Sequence, residues 1–580
     1  MPAAVPARVP SIDEDEVSAF VASLPTDVRA CLLDAGPDDS DFLEVDEEVD
    51  PEDPKTFQEA MGRSDRDKWI VAIKEELKSI DDLKVYKLVP RSQAIKEGRK
   101  VLKGRFVFHL KRDQFGAIER WKARFVARGD RATPGIDFNK TTSPTMRLET
   151  FRLILHIAAA LGWSLHQLDV KTAFLRGRLP PGEHVFMEQP VGFEVPGMED
   201  YIWMLIMGLY GLPNAGRVWY IAMNAAMLDF GYTRVPCEHC LYFRKTATGT
   251  ILAGVHVDDY MAAASTDAEG LRFKEELRKV WDIKDLGVAK FCVGIAIERD
   301  LVNRHIFLSQ TALIDKTLTI FKMTDSNPVS TPMEAKKSLT RIPASPLSPS
   351  DVLELKSFPY RKLVGLLMYL AIGTRPDIAL AVQKLCQFLD CYNYEHWDAA
   401  KRLLRYLKGT RTLRLRLGGE GINLVGFTDA SFACCPDTRR SVGAYCFTLG
   451  GSGIISWAAR KQKTVAQSTT DAEYIAAAET SREAVWLRTV LSAIVMAPKG
   501  PTPILCDNDA TNVLSQDQVF HSRSKHIDIK YHYIRECCEN NSIILRYIPS
   551  EDNVADILTK PLPAPQFLRL RAFMGLCDRD

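Results

Sequence analysis

At 580 residues the chain is too long for a single hydrophobic core, and about three or four domains are expected. Its 46% hydrophobic and 26% charged composition is ordinary for a soluble globular protein, and no apolar run approaches the roughly 18 residues that a membrane span needs. The formal charge of +1 conceals a division: residues 1–54 hold 16 acids against 2 bases, leaving about +15 on the remainder, which permits a polyanionic partner without requiring one.

Taken in chain order, the acidic, proline-containing, aromatic-poor leader 1–54 is predicted to be disordered. It has no signal-peptide hydrophobic core. Pro54–Ile80 has helical periodicity, with Trp69, Ile70, Ile73 and Leu77 on one face. From Val101 come the strand-like runs GRFVFHL and RWKARFVARG, separated by the turn-like DQFGA. Glu149–Trp163 reads as a buried helix feeding a strand around Leu165–Val170, and a second long helix covers Arg217–Leu228. A hairpin follows in ILAGVHVDDYMAAAS, Ile251–Ser265. Met333–Ser350, rich in Ser, Pro and Lys, reads as a linker. Two strong helical patterns come next, and a last block of strands, helices and strands runs from near Leu424 to about Pro563. The expected division is a leader at 1–54, a first catalytic region at 55–330, a linker at 331–350, a helical unit at 351–415, a mixed-sheet domain at 420–563 and a tail at 564–580. Thirteen scattered cysteines fit a reducing compartment better than a disulfide framework.

The hairpin poses the chemical question. Asp258 and Asp259 are adjacent like charges inside an apolar run, which is costly unless a cation sits on them. Two divalent ions need several convergent carboxylates, and magnesium prefers such oxygen ligands together with phosphates. Asp169, at the end of the apolar strand in WSLHQLDVKTAFLRG, is the natural third member; its competing role is a helix N-cap.

The motifs WKARFVARG, SPTMRLETFRLIL, LDVKTAFLRGRL, VFMEQPVGF, GLYGLPNAGRVWY, VHVDDYM, KDLGVAKFCVGIAI and PYRKLVGLLMYLAIGTRPDIALAV occur in order, followed by ISWAARKQKTVAQSTTDAEY, ILCDN and NVADILTK. Together they resemble the reverse transcriptase–RNase H region of copia-type LTR retrotransposon polyproteins, over about Pro54 to Pro563. The resemblance implies an α+β or α/β multidomain protein: a right-hand polymerase with fingers, palm and thumb, then an RNase H-like mixed-sheet domain. It assigns Asp169, Asp258 and Asp259 to the palm's metal cage. Lys122 and Arg124 match bases that grip an incoming triphosphate, although a solvated strand face would use the same residues. Phe174 matches a bulky gate against a ribose 2′-OH, a role compatible with plain core packing. Gly211–Arg217 matches a segment under the template, and LGVAKFCVGI a region near the primer end. His256 stands where the family usually has tyrosine, and Met207 and Pro213 stand where bases are common.

The last block carries a second set of acids. Asp429 ends a first strand, Glu473 begins a helix, Asp507 ends a further strand, and Asp556 lies on a closing helix. One carboxylate per element suits a second two-metal hydrolase, and their order matches RNase H. Asp471 competes with Glu473, but EYIA resembles the Glu-apolar-x-Ala pattern of the family, which implies Glu473 and leaves Asp471 as a first-turn helix residue. The loop PSEDNVAD lacks the histidine that many RNase H domains place there. His521, His526 and His532 are expected to be structural, and Arg439 and Arg440 meet either hybrid backbone or solvent. The CEHC cluster of Cys237, His239 and Cys240 lacks a second ligand pair for zinc, and the Cys434–Cys435 and Cys537–Cys538 pairs are expected in packing roles.

The function expected from the resemblance is RNA-directed DNA synthesis with a fused RNase H, using magnesium or manganese. Its partners would be an RNA template, a primer, deoxynucleoside triphosphates and the RNA–DNA hybrid, with no membrane involved. An inactive remnant that only binds nucleic acid is the rival. No aspartic-protease motif, nucleocapsid knuckle or integrase-like zinc module occurs in the sequence, so the chain is expected to be the last two enzymatic domains of a longer polyprotein. The expected location is a cytoplasmic particle, with the nucleus as alternative.

Overall fold

The computed structural model describes residues 53–112, 118–335, 337–342, 347–494, 498–508 and 528–578. The expected leader, apart from its last two residues, and His521 and His526 lie outside the described residues. Among the described residues, four sheets and a two-stranded ribbon, interleaved with helices, give a mixed α/β architecture.

The N-terminal region forms a separate core. Helix Arg66–Asp82 buries Trp69, Ala72, Ile73, Glu76 and Ile80, a stripe at three- and four-residue spacing. Ile70, expected on that face, is only half-buried because it falls one residue off the stripe. The helix packs against the ribbon of Gly104–Arg112 with Ile118–Ala127, and both share their core with Trp203 and Leu205 of an adjacent four-stranded sheet.

The central sheet has six strands in the order Ile283–Gly287, Ser164–Val170, Asp259–Ala264, Gly249–His256, Glu238–Thr246 and Thr233–Val235, all neighbours antiparallel. Helices cover both faces. On one face, Gly254 lies against Met146 and Ile154 of the Leu148–Ala160 region; on the other, His166 lies against Gly270 of helix Asp267–Arg278. Double coverage is why Asp259–Ala264 is buried at every position instead of alternating.

A third sheet joins Phe291–Cys292, Ile295–Asp300, His305–Ser309 and Arg414–Gly418 with Leu576–Cys577. Residues 564–578 of the segment expected as a tail, 564–580, therefore fold back. Helix Ala564–Phe573 buries Phe567 and Leu570, and the strand after it completes the sheet. The apolar residues Phe567, Leu570, Met574 and Leu576 drive this return, since all four join the main core. Within the stretch expected as a linker, Thr331 and Pro332 are buried, and a Ser348 capping box opens helix Pro349–Lys356. The C-terminal sheet runs Ile454–Lys461, Val442–Leu449, Leu424–Ser431, Thr502–Cys506, Ile543–Tyr547, with the first three antiparallel and the last two parallel to Leu424–Ser431. Helix Thr469–Ile494 packs across it.

One hydrophobic core spans the central sheet, the helices Tyr360–Gly373, Ala379–Cys386 and Tyr394–Gly409, and the C-terminal sheet. Arg152 is buried at this junction. It donates to the carbonyls of Ile455 (2.7 Å), Ile372 (2.7 Å) and Gly373 (3.0 Å), and its guanidinium lies 3.9 Å over the Trp457 ring. Trp486 Nε1 adds a bond to the Cys237 carbonyl at 3.2 Å, with Arg147 over the Trp486 ring. No helix among the described residues is long and apolar enough to cross a membrane.

Candidate catalytic carboxylate sites

Sheet register builds the first site. The hairpin pairs Gly249–His256 with Asp259–Ala264 through a two-residue turn, Val257–Asp258. Antiparallel partners share a face, and the pairs His256↔Asp259, Asp259↔Asp169 and Asp169↔Lys284 form one row across four strands. Asp169 is thus a strand residue; the cap of the following short helix Ala173–Arg176 is Thr172, so its alternative role as an N-cap is excluded. The Val170 amide bonds the Asp258 carbonyl at 3.0 Å, which ties the turn to the neighbouring strand.

Val257 occupies the left-handed region, φ +56°, an unfavourable place for a β-branched residue. Such strain persists only where the surroundings dictate it. Here the indole of Trp219 donates to the Val257 carbonyl at 2.6 Å from helix Ala215–Asp229, pinning the turn beside the aspartates. His256 fills a fully buried position, its Nε2 has no hydrogen-bond partner, and burial lowers its pKa to about 4, so it is neutral near pH 7.

Two of the three residues expected at a nucleotide, Arg124 and Phe174, are joined through Tyr210, which was not foreseen. Lys122 and Arg124 lie on the ribbon face opposite the buried Ala123 and Phe125. The Arg124 guanidinium lies 5.1 Å over Tyr210, and Tyr210 meets Phe174 edge-on at 5.7 Å. The segment bearing Tyr210 is fastened by the Ala127 amide to the Tyr210 carbonyl, 2.8 Å. Gly211 makes this approach feasible: its φ is +82°, and a Cβ there would stand 2.3 Å from the Ala127 carbonyl oxygen. Helix Ala215–Asp229 then links this floor to the hairpin, with Gly216 beside Phe174 and Trp219 on the turn.

The second site draws on four elements. Asp429 lies in the strand Leu424–Ser431, and Asp507 directly follows the parallel neighbour Thr502–Cys506, so both strands deliver a carboxylate at the same end. Asp556 comes from the short helix Val554–Leu558, which Asn553 holds against the sheet through the Thr428 carbonyl at 3.0 Å. Ligand atoms of Asp429, Asp507 and Asp556 lie within 4.8 Å of one another, and so do those of Glu473, Cys506 and Asp507. Glu473 is thus brought in, whereas Asp471 accepts from the Gln467 amide at the helix start.

Two residues here were not foreseen. The Lys560 ammonium lies 3.1 Å from Asp429 and 2.9 Å from Asp556, and the Thr559 hydroxyl donates to Asp429. The legible signal was a lysine four residues after an aspartate in NVADILTK, the spacing of a helical ion pair. Burial raises the Asp429 carboxyl, against the pull of Lys560 and Thr559. Burial, then repulsion from Asp429 and Asp507, pushes Glu473 up to about 9; burial and Asp429 push Asp556 up to about 7. Glu473 Oε2 is buried without a hydrogen-bond partner. Carboxylates this crowded are short of positive charge, so the residues present fit a divalent cation.

Other candidates do not converge. His239 is exposed while Cys240 is buried, as alternation along their strand requires. Arg439 and Arg440 are exposed on a turn, with Arg439 at φ +55°. His532 is exposed.

Residues 83–335 match the reverse transcriptase (RNA-dependent DNA polymerase) family. The chain is 37% identical over 528 residues to the retrovirus-related Pol polyprotein from transposon TNT 1-94 of Nicotiana tabacum, covering 91% of this chain and 39% of that relative. It is 35% identical over 319 residues to a putative transposon Ty5-1 protein of Saccharomyces cerevisiae, covering 54% of this chain and all of that protein. The chain belongs to the copia-type retrotransposon Pol polyproteins that carry a reverse transcriptase. It spans about two fifths of the length of the tobacco relative. A solved foamy viral protease–reverse transcriptase in complex with dsDNA aligns over 83% of each chain at 12% identity and a TM-score of 0.41, a likeness too slight to define either site.

Proposed function

We propose that this chain is an RNA-directed DNA polymerase with a fused RNase H. In this reading the ribbon and its flanking sheet are the fingers, the central sheet is the palm, the following helices are the thumb and connection, and the C-terminal sheet is RNase H-like. The observation that carries it is the row placing Asp259 beside Asp169 at a pinned hairpin turn that presents Asp258, within the region matching the reverse transcriptase family.

Asp169, Asp258 and Asp259 would hold magnesium or manganese in the palm, and Asp429, Glu473, Asp507 and Asp556 in the C-terminal domain. When bound, such ions supply charge stabilisation for in-line phosphoryl transfer. The protein's share is positioning. Lys122 and Arg124 would take the triphosphate of a deoxynucleotide, Phe174 backed by Tyr210 would exclude a ribose 2′-OH, and the rigid hairpin would fix the aspartates against the primer end. In the second site the strand ends would hold the RNA strand of the hybrid over the acids.

Primer extension on an RNA template, comparing the full chain with D258N/D259N, tests the polymerase. Extension by the wild type that falls at least about 10³-fold in the variant is expected, since metal-held charge contributes several kcal/mol. Hybrid binding without extension by the wild type would instead favour an inactive remnant.

A further inference from the structure

The second cage divides into two halves. Asp429 and Asp556 face the Lys560 ammonium. Glu473 and Asp507 face a sulfur: Sγ of Cys506 and carboxylate oxygens of both acids lie within 4.8 Å of one another. Cys506 is fully buried at the end of its strand, and its sulfur accepts from the backbone amide of Asn508. Glu473 is more than nine-tenths buried, one end of its carboxylate is met by the Ala430 amide, and Oε2 is buried with no hydrogen-bond partner. Asp507 accepts from the Ser550 hydroxyl at 2.6 Å and remains half-exposed, which gives an ion a way in.

We propose that Glu473, Cys506 and Asp507 form a binding site for a thiophilic divalent cation, zinc or cadmium, distinct in donor set from the all-oxygen group of Asp429, Asp507 and Asp556. Tetrahedral zinc with bonds of about 2.0–2.3 Å holds its ligands about 3.3–3.8 Å apart, so atoms that already lie within 4.8 Å of one another need to close by at most about 1.5 Å. A thiolate prefers zinc and cadmium over magnesium, whereas the oxygen group has no such preference. On binding, the thiol proton and the proton that Glu473 carries near neutral pH leave to solvent, the sulfur and two carboxylate oxygens ligate, and water completes the shell. Because the ion takes Glu473 and Asp507, it would stop RNA cleavage while leaving primer extension in the other cage untouched; this consequence rests on the RNase H reading above.

The test uses the full chain and the metal alone. One equivalent of cadmium should produce a thiolate-to-cadmium charge-transfer band in the ultraviolet. C506S should lose that band and bind cadmium at least about 10- to 100-fold more weakly, the loss that even an outer-shell partner causes. D429N, outside this donor set, should keep it. X-ray absorption at the cadmium edge of the wild type should show one sulfur with oxygens, a readout independent of whether C506S folds. An unchanged band in C506S, or two or more sulfurs around the ion, would overturn the site. Magnesium-dependent cleavage of a hybrid by the wild type decides the RNase H reading separately. Cleavage without the band removes only the soft-metal site. The band without cleavage leaves that site standing and removes its consequence.

Discussion

The two acid clusters are built on opposite principles. In the central sheet, Asp169 and Asp259 are neighbours in a single ladder, and Asp258 lies in the turn between paired strands, so register alone sets their spacing. In the C-terminal domain four acids come from two parallel strands, a long helix and a short one, and a lysine from the same short segment stands among them. The first arrangement puts its precision into backbone pairing and a pinned turn. The second depends on the tertiary packing of every element that carries a ligand, and it brings part of its own counter-charge. A cluster made by register should tolerate distant changes that a cluster made by packing does not.

The largest separation of the two comes from D429N. RNA-strand cleavage should fall at least about 10²-fold, while primer extension in the same preparation stays within about twofold, assayed with one labelled hybrid. Joint loss of both would mean that the clusters are not independent. Next is R152M, which leaves three carbonyls, two of them in buried bonds, without their donor and removes a cation from Trp457. It should cost about 3 kcal/mol in urea unfolding, with cleavage impaired more than extension. A change below about 0.5 kcal/mol would show that the junction contributes little.

The acids of the second cage also make stability depend on pH. Glu473 and Asp556 have folded values near 9 and 7, above the ordinary 4.5 and 3.8. The folded state therefore holds more protons than the unfolded one in this range, and stability falls as pH rises from about 4 through about 7 and on to about 9. Thermal melts of the metal-free chain should show this decline, steeper in K560M, and magnesium should flatten it; a melting point that rises with pH across the window would refute the assignment. The smallest effect is D471A. Loss of the Gln467 contact at the helix start should cost about 0.3–1 kcal/mol and leave cleavage within twofold, whereas E473Q should abolish it.

The sequence announced what local pattern can announce. Adjacent aspartates in a buried run marked the hairpin, the apolar strand before Asp169 marked its partner, and the four C-terminal acids stood at the ends or starts of recognisable elements. What it hid depends on long-range packing. Arg152 is a charged residue in a stretch read as a buried helix, LETFRLILHIAAA, and only the distant carbonyls and the Trp457 ring it meets account for its own burial. A two-residue strand such as Leu576–Cys577 has no periodicity to detect. The aromatic bridge through Tyr210 and the staple from Trp219 join segments far apart in the chain. Val257 reads as an ordinary strand residue, and its left-handed backbone is visible only once the turn is seen.

The return of residues 576–577 to pair with Arg414 and Leu415 bears on dissection of the molecule. Strands some 160 positions apart are sheet neighbours, so the C-terminal sheet is an insertion whose two ends are sewn into the same seam. A protease nick inside 420–563 would leave both fragments clasped under native conditions, and they would part only in denaturant. Cutting the chain before residue 420 to isolate the region matching the reverse transcriptase family would strip an edge from the third sheet and leave the backbone of Arg414 and Leu415 unpaired and open to other molecules.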